Sequence, residues 1–414
     1  MKLSSSPLVI EMKFEAKRSH ILQGTKKINE LIMTYFSKAA EARSLGKPIA
    51  WVTVFTPVEL LYALGIYPIA PEHFGAMCSA RGFILEYLEE AEKKGYADSL
   101  CSYSRCSLGY VLSGMQGVMP DPDILITFRN SCDVYVKWWQ SLHMHLDKPL
   151  FIGEAPYILE WDDLDGYVLD YVKKQLEQLI EIAEERFGLK FDMERFVNAL
   201  RLSDRASELW LETLKLRASK PCPLGGRDSA SDIFPLVIMQ GTDEAISFYE
   251  ELLEEVRDRV SKKEGAIENE RFRLLFDGIW LWHAFDLIKY FEDKDAVFVY
   301  EPYSEAWAYR FDVSKPLESM ARKILTMGLN VDIDLRIERF LKSVKDFQID
   351  GAILFSNRSC KAWSAPQLVT AEALSEKSGI PYLMFEGDMA DPRQYSEAQV
   401  KTRIDAFIEI LGER

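Results

Sequence analysis

Apolar positions along the chain follow two alternating periods. Residues 11 to 46 place Ile21, Ile28, Leu31, Ile32 and Tyr35 at roughly helical spacing, so the chain opens as helix. At Pro48 the period changes. IAWVTVF (49–55) is a β-branched and aromatic run that predicts a strand, and Thr56-Pro57 behind it predicts the start of a helix over VELLYAL, ending at Gly65. IYPIA predicts a second strand, and a longer helix is predicted over about residues 79 to 95. ILITF (124–128) predicts a third strand, DVYVKWWQSLHMH a helix and PLFIGEA a fourth strand. From about residue 166 to 266 the strand signal fades. Segments such as LDYVKKQLEQLIEIAEERFG carry helical periodicity there, interrupted by the loop SKPCPLGGRDSASDIF. From Phe272 the first pattern returns. RLLFDGIWLW, AVFVYEP (296–302), GAILF (351–355) and PYLMFEGD (381–388) predict strands with helices between them, and KTRIDAFIEILG closes the chain.

Strands alternating with helices predict an α/β fold whose parallel sheets carry helices on both faces. The pattern divides the chain into an N-terminal helical segment (1–47), a first α/β domain (48–165), a helical region with a cysteine-containing loop (166–270) and a second α/β domain (271–414). Two segments match in detail: PDPDILITFRNSC and FQIDGAILFSNRSC both run acid, apolar strand, short polar loop, Ser-Cys. Loops after strand C-termini line the ligand crevice of an open parallel sheet. Cys132 and Cys360 are therefore expected at equivalent edges of two related domains, facing a cleft between them.

The 414 residues are 48% hydrophobic and 28% charged, ordinary for a globular protein. A net charge of −15, with no concentrated basic surface, argues against nucleic acid or an anionic membrane as partner. The apolar stretch Pro7–Ile10 is too short for a secretory signal, and nowhere do about 18 uncharged apolar residues run together. The expected compartment is the cytoplasm, where thiols stay reduced.

There the six cysteines become the informative feature. Cys78, Cys101, Cys106, Cys132, Cys222 and Cys360 sit in GAMCSARG, DSLCSYSRCSLG, FRNSCDVY, KPCPLGGR and NRSCKAW, settings that read as loops and element ends. Thiolates in such places serve as metal ligands or nucleophiles, because neighbouring N–H groups and cations stabilise their charge. The Cys-x4-Cys pair Cys101/Cys106 is loose for zinc, no second close pair or Cys/His knuckle completes a tetrahedral site, and ferredoxin spacing is absent, so any cluster must be assembled from cysteines distant in sequence. Six matches two cubanes that each use three protein thiolates.

The segments PVELLYALGIYP, DSLCSYSRCSLG, PDPDILITFRNSC, RDSASDIF, DGAILFSNRSC, GIPYLMFEGD and QVKTRIDAFIEIL resemble the family of 2-hydroxyacyl-CoA dehydratase and benzoyl-CoA reductase subunits. The resemblance implies two flavodoxin-like domains with a helical part. It also implies a 4Fe–4S cluster held between them by Cys101, Cys132 and Cys360. Cys78, Cys106 and Cys222 depart from the family pattern, and a second set of three thiols resembles the double-cubane cluster proteins of this family. That narrower resemblance implies an 8Fe–9S centre in a homodimeric reductase of small molecules, fed by a separate ATP-hydrolysing iron–sulfur activator. The alternatives are a dehydratase- or reductase-type subunit with one 4Fe–4S cluster, and a non-catalytic electron-storage protein. No phosphate-binding G-x-x-x-x-G-K-[ST] motif occurs, so ATP hydrolysis is expected in a partner.

Three further residues are candidates for proton chemistry. Glu59, at a helix start after a strand, is a candidate ligand or proton donor, with helix capping as its alternative. His143 and His145 are candidate proton shuttles that helical geometry points apart. Arg105 and Arg358 flank the candidate ligands, and Trp138-Trp139 reads as core or dimer interface.

Overall fold

The computed structural model describes residues 21–414 apart from Gln116 and Gly328; the helix expected from residue 11 lies partly outside them. Helices α1 (Gln23–Lys26) and α2 (Ile28–Ser44) lead into β1 (Ile49–Val52), α3 (Val58–Leu64), β2 (Tyr67–Ile69), α4 (Pro71–Ala80), α5 (Ile84–Lys93), α6 (Ser102–Leu112), β3 (Ile124–Arg129), α7 (Val134–Leu146) and β4 (Leu150–Glu154). The helical middle comprises α8 (Tyr167–Phe187), α9 (Met193–Leu216), α10 (Gly226–Asp232), α11 (Phe234–Ile238) and α12 (Asp243–Lys262). There follow β5 (Phe272–Asp277), α13 (Asp286–Glu292), β6 (Ala296–Tyr300), α14 (Pro302–Glu305), α15 (Pro316–Thr326), α16 (Ile333–Asp346), β7 (Gly351–Asn357), α17 (Lys361–Ser364), α18 (Gln367–Ser378), β8 (Tyr382–Gly387) and α19 (Glu397–Gly412).

The strands form two all-parallel sheets in the orders β2-β1-β3-β4 and β6-β5-β7-β8. Each begins 2-1-3-4, the flavodoxin-like order, and reverses direction between its first and third strands. Residue choice follows position. Every residue of the central strands β1 and β5 is buried, which suits apolar runs covered on both faces. The edge strands β4 and β8 alternate buried with more exposed positions. Arg273 breaks the apolar run of β5, and its guanidinium donates to the carbonyls of Phe347 and Arg217, both at 2.7 Å.

The helix expected over 79–95 is two helices. Gly82 takes φ +78°, and the N–H of Phe83 closes back on the Cys78 carbonyl at 3.1 Å, a left-handed glycine cap that ends α4 before α5 begins. Gly109 is a close approach: a Cβ there would lie 1.8 Å from the Tyr87 carbonyl oxygen, so α5 and α6 pack backbone to side-chain-free backbone.

Buried ionic groups join the two halves. Arg105 of α6 pairs with Asp391, just beyond β8, at 3.2 Å, and both side chains are fully buried. Glu92 of α5 and Arg393 complete the group, with Arg105 to Glu92 at 2.6 Å and Arg393 to Asp391 at 2.7 Å. Glu59 of α3 accepts hydrogen bonds from Lys323 of α15 and from Ser203 of α9 at 2.7 Å. Lys323 also donates to Gln240 at 2.6 Å. Glu59 thus belongs to a lock among three parts of the chain.

Removing one partner from a buried ion pair leaves an uncompensated charge and costs about 3–5 kcal/mol, whereas an apolar replacement of both is often nearly neutral. Lys323→Met is therefore expected to lower the unfolding free energy by about 3 kcal/mol or more in chemical denaturation. The double replacement Glu59→Leu with Lys323→Met is expected to restore most of it. A single variant as stable as the native chain would show that the lock contributes little.

Candidate iron–sulfur and substrate site

The carboxyl ends of both sheets point at one cavity of about 570 Å³. The loop after β1 supplies Phe55, α4 behind β2 supplies Glu72 and His73, and the loop after β3 supplies Cys132. The second sheet answers with Trp282 after β5, Tyr303 and Trp307 after β6, Cys360 after β7 and Met389 after β8. The cavity lies where each sheet reverses strand order, the usual crevice of such folds.

Cys101, Cys132 and Cys360 all line it. Cys132 lies three residues beyond Arg129, the end of β3, and Cys360 three beyond Asn357, the end of β7. The repeated strand–loop–Ser-Cys pattern therefore places its two thiols in the same cavity from opposite domains. Cys101 is the N-cap of α6 and Cys360 the N-cap of α17, while Cys132 directly precedes Asp133, the N-cap of α7. Each thiol faces backbone N–H groups at a helix start: Ser104 for Cys101, Val134 and Tyr135 for Cys132, Trp363 for Cys360, the Tyr135 N–H being shared with the Cys132 carbonyl at 3.3 Å. These dipoles favour thiolate. Burial opposes them and is the larger effect, and the thiols also repel one another. All three are pushed upward, Cys360 to about 12.

Three thiols that resist ionising together suit a cationic metal centre, which compensates the charge burial penalises and releases the thiol protons on binding. Among the described residues no three His, Cys, Asp or Glu side chains converge on a single ion. A cubane does not need that, because each protein thiolate takes a different iron. Three thiols around one cavity are a donor set compatible with such a cluster.

The turns carrying two of the thiols touch directly. The Ser102 N–H donates to Ser359 Oγ at 3.3 Å, and Ser359 in turn donates to Asp388. Asp388 accepts from the N–H groups of Ala390 (2.8 Å) and Asp391 (2.9 Å), which ties this turn to the Arg105 ion pair.

The other three cysteines are elsewhere; Cys222 sits in the loop expected of it, whereas Cys78 and Cys106 lie in helices rather than loops. Cys78 lies inside α4 and Cys106 inside α6, both fully buried, side by side where these helices pack. Burial first, then the Cys106 contact, pushes the Cys78 thiol up. Cys222 is buried in a separate small core behind the second sheet, where its Sγ–H meets the Leu224 carbonyl at 3.2 Å. None of the three lines the cavity.

The proton candidates are also relocated. Glu59 is buried against Lys323 and does not line the cavity. His143 and His145 occupy the last turn of α7, and α7 starts at the cavity, so they lie at its far end. His143 Nδ1 is 2.6 Å from the Lys148 carbonyl and His145 Nε2 is 2.8 Å from the Tyr96 hydroxyl. Arg105 is fully engaged with Asp391 and Glu92, and Arg358 is exposed beside Glu386. Trp139 packs core, but Trp138 lines the cavity while its indole N–H donates to Ser107 Oγ at 2.7 Å.

Glu72 and His73 are what the sequence reading missed. Glu72 stands in the first turn of α4 behind Pro71, a strand-end acid of the same kind as Glu59. Its Oε1 accepts from the Val54 N–H at 3.2 Å. Burial pushes its carboxyl up to about 8, and the hydrogen bonds it accepts only partly oppose this. Burial lowers His73 to about 3, so it is neutral, packed against Phe234 with ring centroids 4.4 Å apart.

The family model for the 2-hydroxyglutaryl-CoA dehydratase D-component matches residues 53–411. The chain is 31% identical to the (R)-2-hydroxyisocaproyl-CoA dehydratase alpha subunit of Clostridioides difficile, over 94% of this chain and 96% of the relative. It is 28% identical to the (R)-phenyllactyl-CoA dehydratase alpha subunit of Clostridium sporogenes, covering 96% of each. It is 26% identical to a benzoyl-CoA reductase subunit of Thauera aromatica, covering 94% of each. Among the described residues no helix is long and apolar enough to cross a membrane. With three thiols from two sheets meeting in one cavity and this family's model covering nearly the whole chain, the protein belongs to the 2-hydroxyglutaryl-CoA dehydratase D-component family, which includes 2-hydroxyacyl-CoA dehydratase and benzoyl-CoA reductase subunits.

Proposed function

We propose that this chain is the substrate-binding subunit of an acyl-CoA dehydratase or reductase, with Cys101, Cys132 and Cys360 holding one 4Fe–4S cluster. The observation that carries this reading is the convergence of those three thiols on a cavity with room beyond them. When bound, such a cluster supplies a one-electron centre and one iron without a protein thiolate, open to a substrate oxygen. The eight-iron alternative needs three more thiols at the same place. Cys78 and Cys106 lie between α4 and α6 and Cys222 behind the second sheet, which favours the single cluster. A cavity walled for a ligand favours an enzyme over an electron store.

Around that centre the chain has distinct tasks. The helix starts beside the three cysteines stabilise thiolate, and the aromatic walls exclude water. Glu72, neutral at pH 7, is placed to give or take a proton inside the cavity, and neutral His73 adds no competing charge. Lys26, exposed, and half-buried Arg81 stand at the rim, where the phosphates of a CoA carrier would meet them. Loss of water from a 2-hydroxyacyl thioester is redox-neutral, so an injected electron returns at each turnover, whereas a reductase consumes electrons. Both need a low-potential donor. We assign that role to a separate ATP-hydrolysing iron–sulfur activator; the sequence itself has no G-x-x-x-x-G-K-[ST] motif. The relatives are named as subunits, and pairing with a second subunit of this family, identical or related, belongs to the same reading.

Anaerobically prepared protein is expected to hold about four irons and four acid-labile sulfides per chain. Serine at Cys101, Cys132 or Cys360 is expected to remove more than about half of the iron, while serine at Cys78, Cys106 or Cys222 leaves it unchanged. Near eight irons, with loss on changing Cys222, would establish the double cubane instead. Glu72→Gln is expected to keep the iron and the thioester affinity but to lower turnover by about 10²–10⁴-fold, as loss of a positioned proton donor does. Undiminished turnover would remove Glu72 from the chemistry.

A further inference from the structure

The lining of the cavity is unusually rich in rings. Ten of its 35 lining residues are Phe, Tyr or Trp, against 12% aromatic residues in the chain as a whole. The rings form a continuous wall that crosses from one domain to the other. Phe55 stacks on Trp307 at 5.1 Å and 8°, Trp307 meets Tyr303 edge-on at 4.7 Å, and Tyr303 reaches Trp282 at 6.4 Å. Trp282 stacks on Phe285 at 5.6 Å and 25°. This wall is anchored: the Trp307 indole N–H donates to the Val54 carbonyl at 3.2 Å, and the Trp282 indole donates to the Tyr103 hydroxyl. Its ring faces are therefore held in fixed orientations.

The same cavity lacks a buried cation among the described residues. The lysine and arginine in its lining are Lys26, exposed, and Arg81, half-buried, both at the rim. The buried ionisable groups facing inward include the three thiols, Glu72 and His73, none of which can neutralise an anion. A carboxylate carried in on the acyl chain would be stripped of water with no buried cation among the described lining residues to pair it, beside a second carboxyl. Fixed ring faces and edges reward another ring through offset and edge-on contacts. An alkyl chain gains only the burial of its surface.

We propose that this cavity selects an arylacyl thioester, an acyl chain ending in an uncharged aromatic ring; the proposal rests on the thioester reading above and narrows it to one substrate class. Pocket lining of this kind fixes specificity through what it leaves unpaired as much as through what it touches. The ring lies along the Phe55–Trp307–Tyr303–Trp282 wall, with the thioester leading out past Lys26 and Arg81.

The test compares equilibrium binding of 3-phenylpropanoyl-CoA, hexanoyl-CoA and glutaryl-CoA to the anaerobically prepared protein, followed by titration calorimetry. The arylacyl thioester is expected to bind at least about threefold more tightly than hexanoyl-CoA and more than about tenfold more tightly than glutaryl-CoA. Trp282→Leu is expected to weaken the arylacyl thioester more than hexanoyl-CoA and so erase the preference between them, and a preference that survives the change would overturn the aromatic selection. Binding of glutaryl-CoA or hexanoyl-CoA as tight as that of the arylacyl thioester would overturn the aromatic selection and leave the thioester reading standing. Binding of none of the three, in protein that retains its iron, would overturn both.

Discussion

The site depends on holding the carboxyl ends of two separate sheets on one cavity. Cys101 and Cys132 come from one, Cys360 from the other, and a rotation of either sheet would pull the thiols apart. The buried Arg105–Asp391 pair resists that rotation at the point where it matters most. Arg105 lies one turn after Cys101 on α6, and Asp391 follows β8 through the turn that also binds Ser359, next to Cys360. A fully buried guanidinium is costly unless its donors are satisfied, so the surroundings must converge on it. Here Asp391, Glu92 and the Leu100 carbonyl do so, and each fixes a different segment around the cavity. The lock trades stability for a defined geometry.

The three thiols then sit in a balance set by that geometry. Helix starts favour their ionised form, while burial and mutual repulsion favour the protonated form and are stronger. Such a group of ligands binds a cationic centre more readily than it stays empty and charged. Cys78 and Cys106 share the burial but do not line the cavity, and their side chains are packed between α4 and α6.

Much of this arrangement was legible in the sequence. The alternating strand and helix periods identified both sheets, because buried parallel strands such as IAWV and GAILF are apolar throughout and bounded by turn residues. The internal repeat ending in Ser-Cys placed Cys132 and Cys360 in one crevice, since strand C-termini in such sheets share an edge. Cys222 does lie in its expected loop, but Cys78 and Cys106 were misread as loop residues. Small polar neighbours in GAMCSARG and SYSRCSLG also suit tightly packed helices, where Ser79 and Ser107 bond to carbonyls and Gly109 lets backbones meet. Composition alone cannot separate those two uses. The helix break at Gly82 was missed for a related reason, as a lone glycine within an amphipathic run is compatible with either a cap or an interior position.

Glu59 and Glu72 show where a one-dimensional reading stops. Each stands in the first turn of a helix that follows a strand, and each is buried. What separates them is a residue far away in sequence. Lys323 reaches Glu59 from α15 and makes it part of an interdomain lock. Among the described residues no cation bonds to Glu72, so burial raises its carboxyl to about 8 and leaves a neutral acid facing the cavity. A buried carboxylate with a cation is structure, and a buried carboxyl without one holds a proton that chemistry can use. The local signal predicts an acid at the strand edge. The long-range partner decides which kind of acid it becomes, and the same fold therefore produces a brace at one strand end and a carboxyl of raised pKa at the next.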